Sequence, residues 1–366
     1  MPNSLLTADV IAREALMVLE ANMVMGGLVH RDYDNEFVAG VGDTVTIRKP
    51  AKFVAHNFTD HITRQDASEG KASVRLDQWR DVSFDVTSRD LTMNITNFSE
   101  QFIAPAMRAI AQALDEDILN EVVNVTNTVN GTANATDLKD IANISKKLDI
   151  NKVPQQLRRL VFNPEHKYRY ATTDNLSKAS YAGDSQALRE ANLGRLYTLD
   201  TFMDQNAPYS LAETPGTLTE CKATGTKDTF KVALSSVKPA TGTLKEGDGL
   251  IIDGRMYRVK KDVTAASGAI AEVELDMPLM DDYDNAAVYP VTKVHSLAFH
   301  RNAIVLVTRT LDLPLGNKNA AIMSNNGLGV RVVFGYNQET KTDTVSLDVL
   351  YGIKTIYPEM AVKLIG

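Results

Sequence analysis

The chain has 366 residues, 44% of them hydrophobic and 23% charged, a size and balance that support two or three compact units and exclude a largely disordered polymer. Its formal net charge of −7, from 46 acidic and 39 basic residues with no long run of lysine or arginine, excludes a protein that clamps duplex DNA, because that requires clustered cations to displace counterions. One cysteine, Cys221, excludes an intrachain disulfide framework and a multi-cysteine zinc site.

Residues 7–22 read as a short amphipathic helix with Val10, Ile11, Ala15, Val18 and Leu19 on one side and a stop at Gly26-Gly27. Asp9, Arg13 and Glu14 interrupt its apolar segment, unlike a secretory signal. No apolar run reaches the roughly 18 residues that span a bilayer as a helix. The expected compartment is a cytosol.

From Asp43 the period becomes two. Val45 and Ile47 alternate with Thr44, Thr46 and Arg48, and a second run takes Val74, Leu76, Val82, Phe84 and Val86, with a polar stretch from Asn57 to Lys71 between them. This predicts a long β-hairpin with arms of about a dozen residues, each on the order of 40 Å at about 3.3 Å per residue. Its tip, with Asp60, His61, Arg64, Asp66, Glu69, Gly70 and Lys71, is too polar to fold alone. It makes sense lying on a neighbouring subunit; the alternative is a disordered loop of one monomer.

The stretch from Asn97 to about Thr126 is the longest predicted helix. Ile103, Met107, Ile110, Leu114, Ile118 and Val122 form one apolar stripe, Asn97 and Glu100 suit reciprocal capping, and Pro105 either kinks or starts the helix. Arg108, Gln112, Asp115, Glu116 and Asn120 are expected to face water. Thr136-Asp137 then caps a helix to about Leu148, Leu160 to Phe162 is a short buried strand, and Pro164 opens another helix. This is a mixed α/β unit.

From about Ala212 to Val291 threonine, glycine, lysine and valine dominate, and Asp253-Gly254 between Leu250–Ile252 and Met256–Val259 marks a two-residue hairpin turn. Strands are expected at Phe230 to Leu234 and Glu272 to Leu275, making a small all-β insertion. Leu297 to His300 is a strand, Asn302 caps the apolar run Ala303 to Val307, and Val330, Val332, Phe334 pair with Val345, Leu347, Val349. The fold class is α+β.

Chemistry leaves little trace. His56 with His61 and His295 with His300 lack the spacing of ligands on one helix face, and no G-x-S-x-G, H-E-x-x-H, P-loop or G-x-G-x-x-G motif occurs. Consecutive Asp115, Glu116 and Asp117 point different ways on a helix, and Asp281, Asp282, Asp284 lack the spacing of a calcium loop. Cys221 has no adjacent histidine to activate it. No enzymatic activity, cofactor or metal is expected.

The order of parts, with NFSEQFIAPAMRAIAQALDEDIL in the long helix, RRLVFNPEHKYRY and SLAFHRNAIVLVTR in the α/β unit and VRVVFGYNQETKTDTVSLDVLYGIKTIYPEMAVKLIG beyond it, resembles the major capsid proteins of tailed bacteriophages, whose fold is named after phage Hong Kong 97. The resemblance covers nearly the whole chain. It implies a Hong Kong 97-like fold with an N-terminal arm (1–42), an extended loop hairpin (43–87), a peripheral domain with a spine helix (88–136 and 327–366), an axial domain (137–211 and 292–326) and a β-rich insertion (212–291). The insertion looks like that of a short-tailed Salmonella phage coat protein, where it supports folding and contacts between capsomers.

By this likeness the chain forms pentamers and hexamers and closes into an icosahedral shell around double-stranded DNA, which it encloses without sequence-specific binding. Asp60, Arg64, Asp66, Glu69 and Lys71 would make contacts between subunits. Its partners would be itself, a separate scaffolding protein, since the spine pattern starts within the first hundred residues, and a portal protein, with a decoration protein optional and no membrane. Its place would be the virion, assembled in the host bacterial cytoplasm. Lysine crosslinking known from some members is not carried over to Lys71. An encapsulin-like bacterial shell and, from a different class, a multi-domain binding protein or enzyme are the alternatives.

Overall fold

The computed structural model describes residues 8–31, 44–49, 53, 55–57, 70–87, 99–131, 137–173, 193–212, 214, 216–314, 319–325, 328–337 and 342–366. The chain divides into two compact units, one made of 1–23, 30–113 and 305–356, the other of 24–29, 114–304 and 357–366.

In the first unit a five-stranded sheet takes Ile304–Arg309, Ala320–Asn325, Leu328–Asn337, Thr342–Thr355 and Gln78–Thr87. Val332 faces Leu347 and Phe334 faces Val345 across the central antiparallel pair, as alternation predicts. Gln78–Thr87 lies on the other side of Thr342–Thr355. Helix Ala8–Asn22 covers Ala320–Asn325 and Leu328–Asn337 and buries Ile11, Ala15 and Leu19. It stops at Asn22 rather than at the glycines: Gly26 and Gly27 lie inside a separate turn of helix, Met25–Leu28. The run Ala303 to Val307 holds strand Ile304–Arg309, and the short turn before it is capped by His300, whose Nδ1 accepts from the Asn302 amide. A short apolar run buried on both faces carries no period, so β-branching decides it.

The predicted long helix is Ala104–Asn120, preceded by a π turn, Ser99–Ile103, and followed by a 3₁₀ turn, Glu121–Asn124. Pro105 sits in its first turn, where a missing N–H costs nothing; Asn97 lies outside the described residues. Met107, Ile110, Ala111, Leu114 and Ile118 are buried, and Arg108 and Gln112 are exposed. Asp115 and Asn120, expected to be wet, are buried. Asp115 stands four residues from both Ala111 and Leu119, which widen the stripe to include it.

The second unit is built on a mixed six-stranded sheet in the order Asn127–Asn130, Ala361–Ile365, His295–His300, Arg158–Phe162, Leu199–Met203, Arg195–Leu196. Helix Leu138–Ile150, capped by Asp137, packs Ile141, Ile144 and Leu148 against Leu160, Phe162, Ala298 and Leu364. Pro164 opens helix Pro164–Ala171 behind the Asn163 cap.

Between Leu218 and Val288 a second six-stranded sheet encloses its own core, including Leu234, Leu250, Ile252, Tyr257 and Val273. Its edge strands meet: the Lys260 amide donates to the Glu274 carbonyl and the Asp276 amide to the Arg258 carbonyl, so the sheet closes into a barrel. Closure removes the edges that would otherwise pair with other chains. Asp253 and Gly254 both have positive φ, 47° and 80°, as the primed turn between Gly249–Ile252 and Arg255–Arg258 requires.

Candidate functional site

The hairpin base is formed by Thr44–Lys49 paired antiparallel with Gly70–Arg75, six residues each, in the register Thr44 to Arg75 and Lys49 to Gly70. Val45, Ile47 and Val74 are buried, while Thr44, Lys71 and Ser73 face out. The described arms are half the expected length. The run Val82, Phe84, Val86, read as part of the second arm, leaves after Leu76-Asp77 to join the five-stranded sheet. Alternation marks strands but not their partners.

This base is anchored on the end of Thr342–Thr355. Lys49 donates to the Ile356 carbonyl and Lys354 to the Ser73 carbonyl, both at 2.7 Å. At Gly352 any Cβ would lie 2.1 Å from the Arg75 carbonyl oxygen, so only glycine permits this approach. Lys71 is exposed on the strand opposite Arg48. Asp60, Arg64, Asp66, Glu69 and His61 lie outside the described residues.

On the five-stranded sheet, Arg331 reaches Asp348 Oδ2 from Nε at 3.0 Å and Nη2 at 2.6 Å. Its guanidinium stands 5.9 Å from the ring centroid of Trp79, which is 58% exposed. Asp348 faces Asp81 across the strands, and Ser346 donates to Asp81 at 2.7 Å. Burial raises the Asp348 carboxyl above its ordinary range, opposed by Arg331.

Asp115 accepts from three successive amides: Val24 at 2.7 Å through Oδ2, and Met25 and Gly26 at 2.9 and 3.3 Å through Oδ1. Its pKa is pushed up to about 7, first by burial and then by the Asp204 charge, while the amides pull it down. Asp204 accepts from the Asn206 amide at 2.9 Å, and burial raises it too. The widened apolar stripe is the sequence signal for Asp115; the amides that bind it lie some 90 residues away and leave none.

His166 Nδ1 lies 2.7 Å from Ser296 Oγ, which accepts from the Asn163 amide. The pair has a nucleophile-and-base spacing, but both residues are buried. It fastens helix Pro164–Ala171 to strand His295–His300. His295 is likewise structural, bonded to the Lys293 carbonyl and the Tyr289 hydroxyl, and burial pushes it and His166 down to about 4. Cys221 is buried in the barrel, which pushes its thiol up to about 12 and away from thiolate chemistry. Asp281 pairs with Arg255, and Asp282 accepts from the Lys227 amide. Among the described residues no three His, Cys, Asp or Glu side chains gather as a metal ligand set, and no helix is long and apolar enough to cross a membrane.

No protein-family model and no curated protein matches the sequence. Solved structures do match its fold. A structure from Mycobacterium phage Che8 is 17% identical with a TM-score of 0.56, covering 93% of this chain and 90% of that one. The capsid structure of cyanophage P-SCSP1u is 12% identical at 0.54, covering 89% and 84%. The mature capsid of bacteriophage PhiM1 is 11% identical at 0.50, covering 88% and 82%. The chain is thus α+β with the Hong Kong 97-like fold of phage capsid proteins, over most of its length.

Proposed function

We propose that this chain is the major capsid protein of a tailed phage, assembling as pentamers and hexamers into an icosahedral shell around double-stranded DNA. The observation that carries this reading is fold likeness to phage capsid structures across about nine tenths of the chain. In this reading 43–87 is the extended loop, 88–136 and 327–366 the peripheral domain, 137–211 and 292–326 the axial domain and 212–291 an insertion that supports subunit folding, behind an arm of 1–42. Asp60, Arg64, Asp66 and Glu69 at the loop tip, with Lys71 exposed on the strand that returns from it, touch a neighbouring subunit. Each such contact is weak, since exposed ion pairs set register more than strength, but many in a closed lattice reinforce one another.

The net negative charge suits a container that holds DNA without adhering to it. The protein acts without catalysis, meets a separate scaffolding protein and a portal, and passes from the host cytoplasm into the virion. The test is to express it alone and with candidate scaffolding proteins, sediment the lysate and image the fast fraction by negative-stain electron microscopy. Shells or capsomer rings are expected, and deleting Asp60 to Lys71 should leave folded subunits that no longer close into shells. Shells carrying a co-purified cargo enzyme would favour the encapsulin-like reading. A slow-sedimenting monomer in every condition would overturn both.

A further inference from the structure

Asp115 is an acid whose side chain meets no counter-charge among the described residues. It is 1% exposed, and the turn that binds it, Met23 to Leu28, contains no titratable side chain. The charged group acting on it is a second buried acid, Asp204, 3% exposed. On its own helix the flanking Glu116 and Asp117 are half-buried. Arg159, the cation that reaches this turn, donates to the carbonyls of Gly27 and Leu28 at its far end. Asp204 Oδ2 has no hydrogen-bond partner among the described residues. Three amides compensate one carboxylate in part; the second is left with a bare buried oxygen.

We propose that Asp115 and Asp204 form a proton-operated clasp on the turn Val24 to Gly26: with one proton on the pair the turn is held, and with both acids ionised it opens far more often. Its sign follows from the two states of the turn. Closed, burial and then Asp204 hold Asp115 at about 7 in spite of its three amide bonds. Opened to water, the carboxyl returns to its ordinary value of 3.8. Between those values the closed state keeps a proton that the open state has lost. Opening therefore grows by up to about tenfold per pH unit from about pH 4 to about pH 7, then levels off. The clasp is tight in acid and loose at neutrality.

Hydrogen exchange on the full-length, unassembled subunit tests this directly. The readout is protection of the Val24, Met25 and Gly26 amides from pH 5 to 8, corrected for the intrinsic pH dependence of exchange and referenced to amides within Leu138–Ile150. Protection should fall more than tenfold between pH 5 and 7 and stay level above. Asp204→Asn should shrink that fall, and Asp115→Asn should give low protection at every pH. A level wild-type profile, an equal fall in the reference helix, or an Asp204→Asn profile matching the wild type would overturn the clasp. These outcomes decide it even if Asp115→Asn does not fold.

Discussion

The barrel takes all its strands from one contiguous stretch between Glu220 and Val291, whereas the five-stranded sheet combines Gln78–Thr87 with strands from Ile304 to Thr355. The barrel satisfies its edges by curling until Arg258 to Lys260 meets Glu274 to Asp276. The open sheet keeps Gln78–Thr87 as an edge strand, with no second neighbour among the described residues, and places charge along it. Local closure makes a region self-sufficient. A sheet assembled from distant segments depends on each of them arriving, and on specific polar contacts to fix register.

The comparison breaks most sharply at Tyr257. This residue is fully buried in the barrel, its hydroxyl 3.0 Å from that of Tyr283 and its ring edge-on to that ring. Tyr257→Ala should cost about 3–5 kcal/mol, through the cavity and a stranded hydroxyl. If the barrel is self-sufficient, denaturant unfolding with separate probes will show it melting early while the five-stranded sheet melts where it did. A common shift of both would mean the barrel is not an independent folding unit.

Arg331→Ala should act on the open sheet with about 2–4 kcal/mol, because it leaves Asp348 buried beside Asp81. The loss should be smaller in acid, where a proton can replace the guanidinium, and urea midpoints at two pH values would register it. Acid gives the gentlest contrast. The barrel stretch 212–291 contains no histidine, while the mixed sheet carries His295 and the helix Pro164–Ala171 carries His166. Their folded values near 4 lie below the ordinary 6.5, so unfolding takes up protons and their contribution is lost as pH falls from about 6.5 to 4. The stability gap between wild type and His295→Gln should therefore narrow by about 1 kcal/mol per pH unit in that window.

Much of this was legible where a local rule governs. Asp253-Gly254 must turn because both residues adopt positive φ, Pro164 must open a helix, and Val332 and Phe334 must share a face with Leu347 and Val345 across the ladder. What escaped depends on partners far along the chain. Val74 and Val82 sit in one alternating run yet their strands join different sheets. Asp115 looked like a wet carboxylate because the turn that buries it is remote in sequence. The paired base of the hairpin falls on two runs of period two, but the period gave no sign that Val82 to Val86 leaves it, and the tip residues apart from Gly70 and Lys71 lie outside the described residues.

The barrel strand Glu220–Gly225 lies beside Tyr283–Val291, with Cys221 opposite Val288, so the chain enters and leaves on neighbouring strands about 5 Å apart. Just outside it, the His295 amide donates to the Pro208 carbonyl at 3.0 Å. To the six-stranded sheet, the whole intervening segment is equivalent to a tight bend. Evolution could therefore enlarge, exchange or delete what hangs from that bend without moving a strand beneath it, and an engineer could graft there any domain whose two ends emerge side by side.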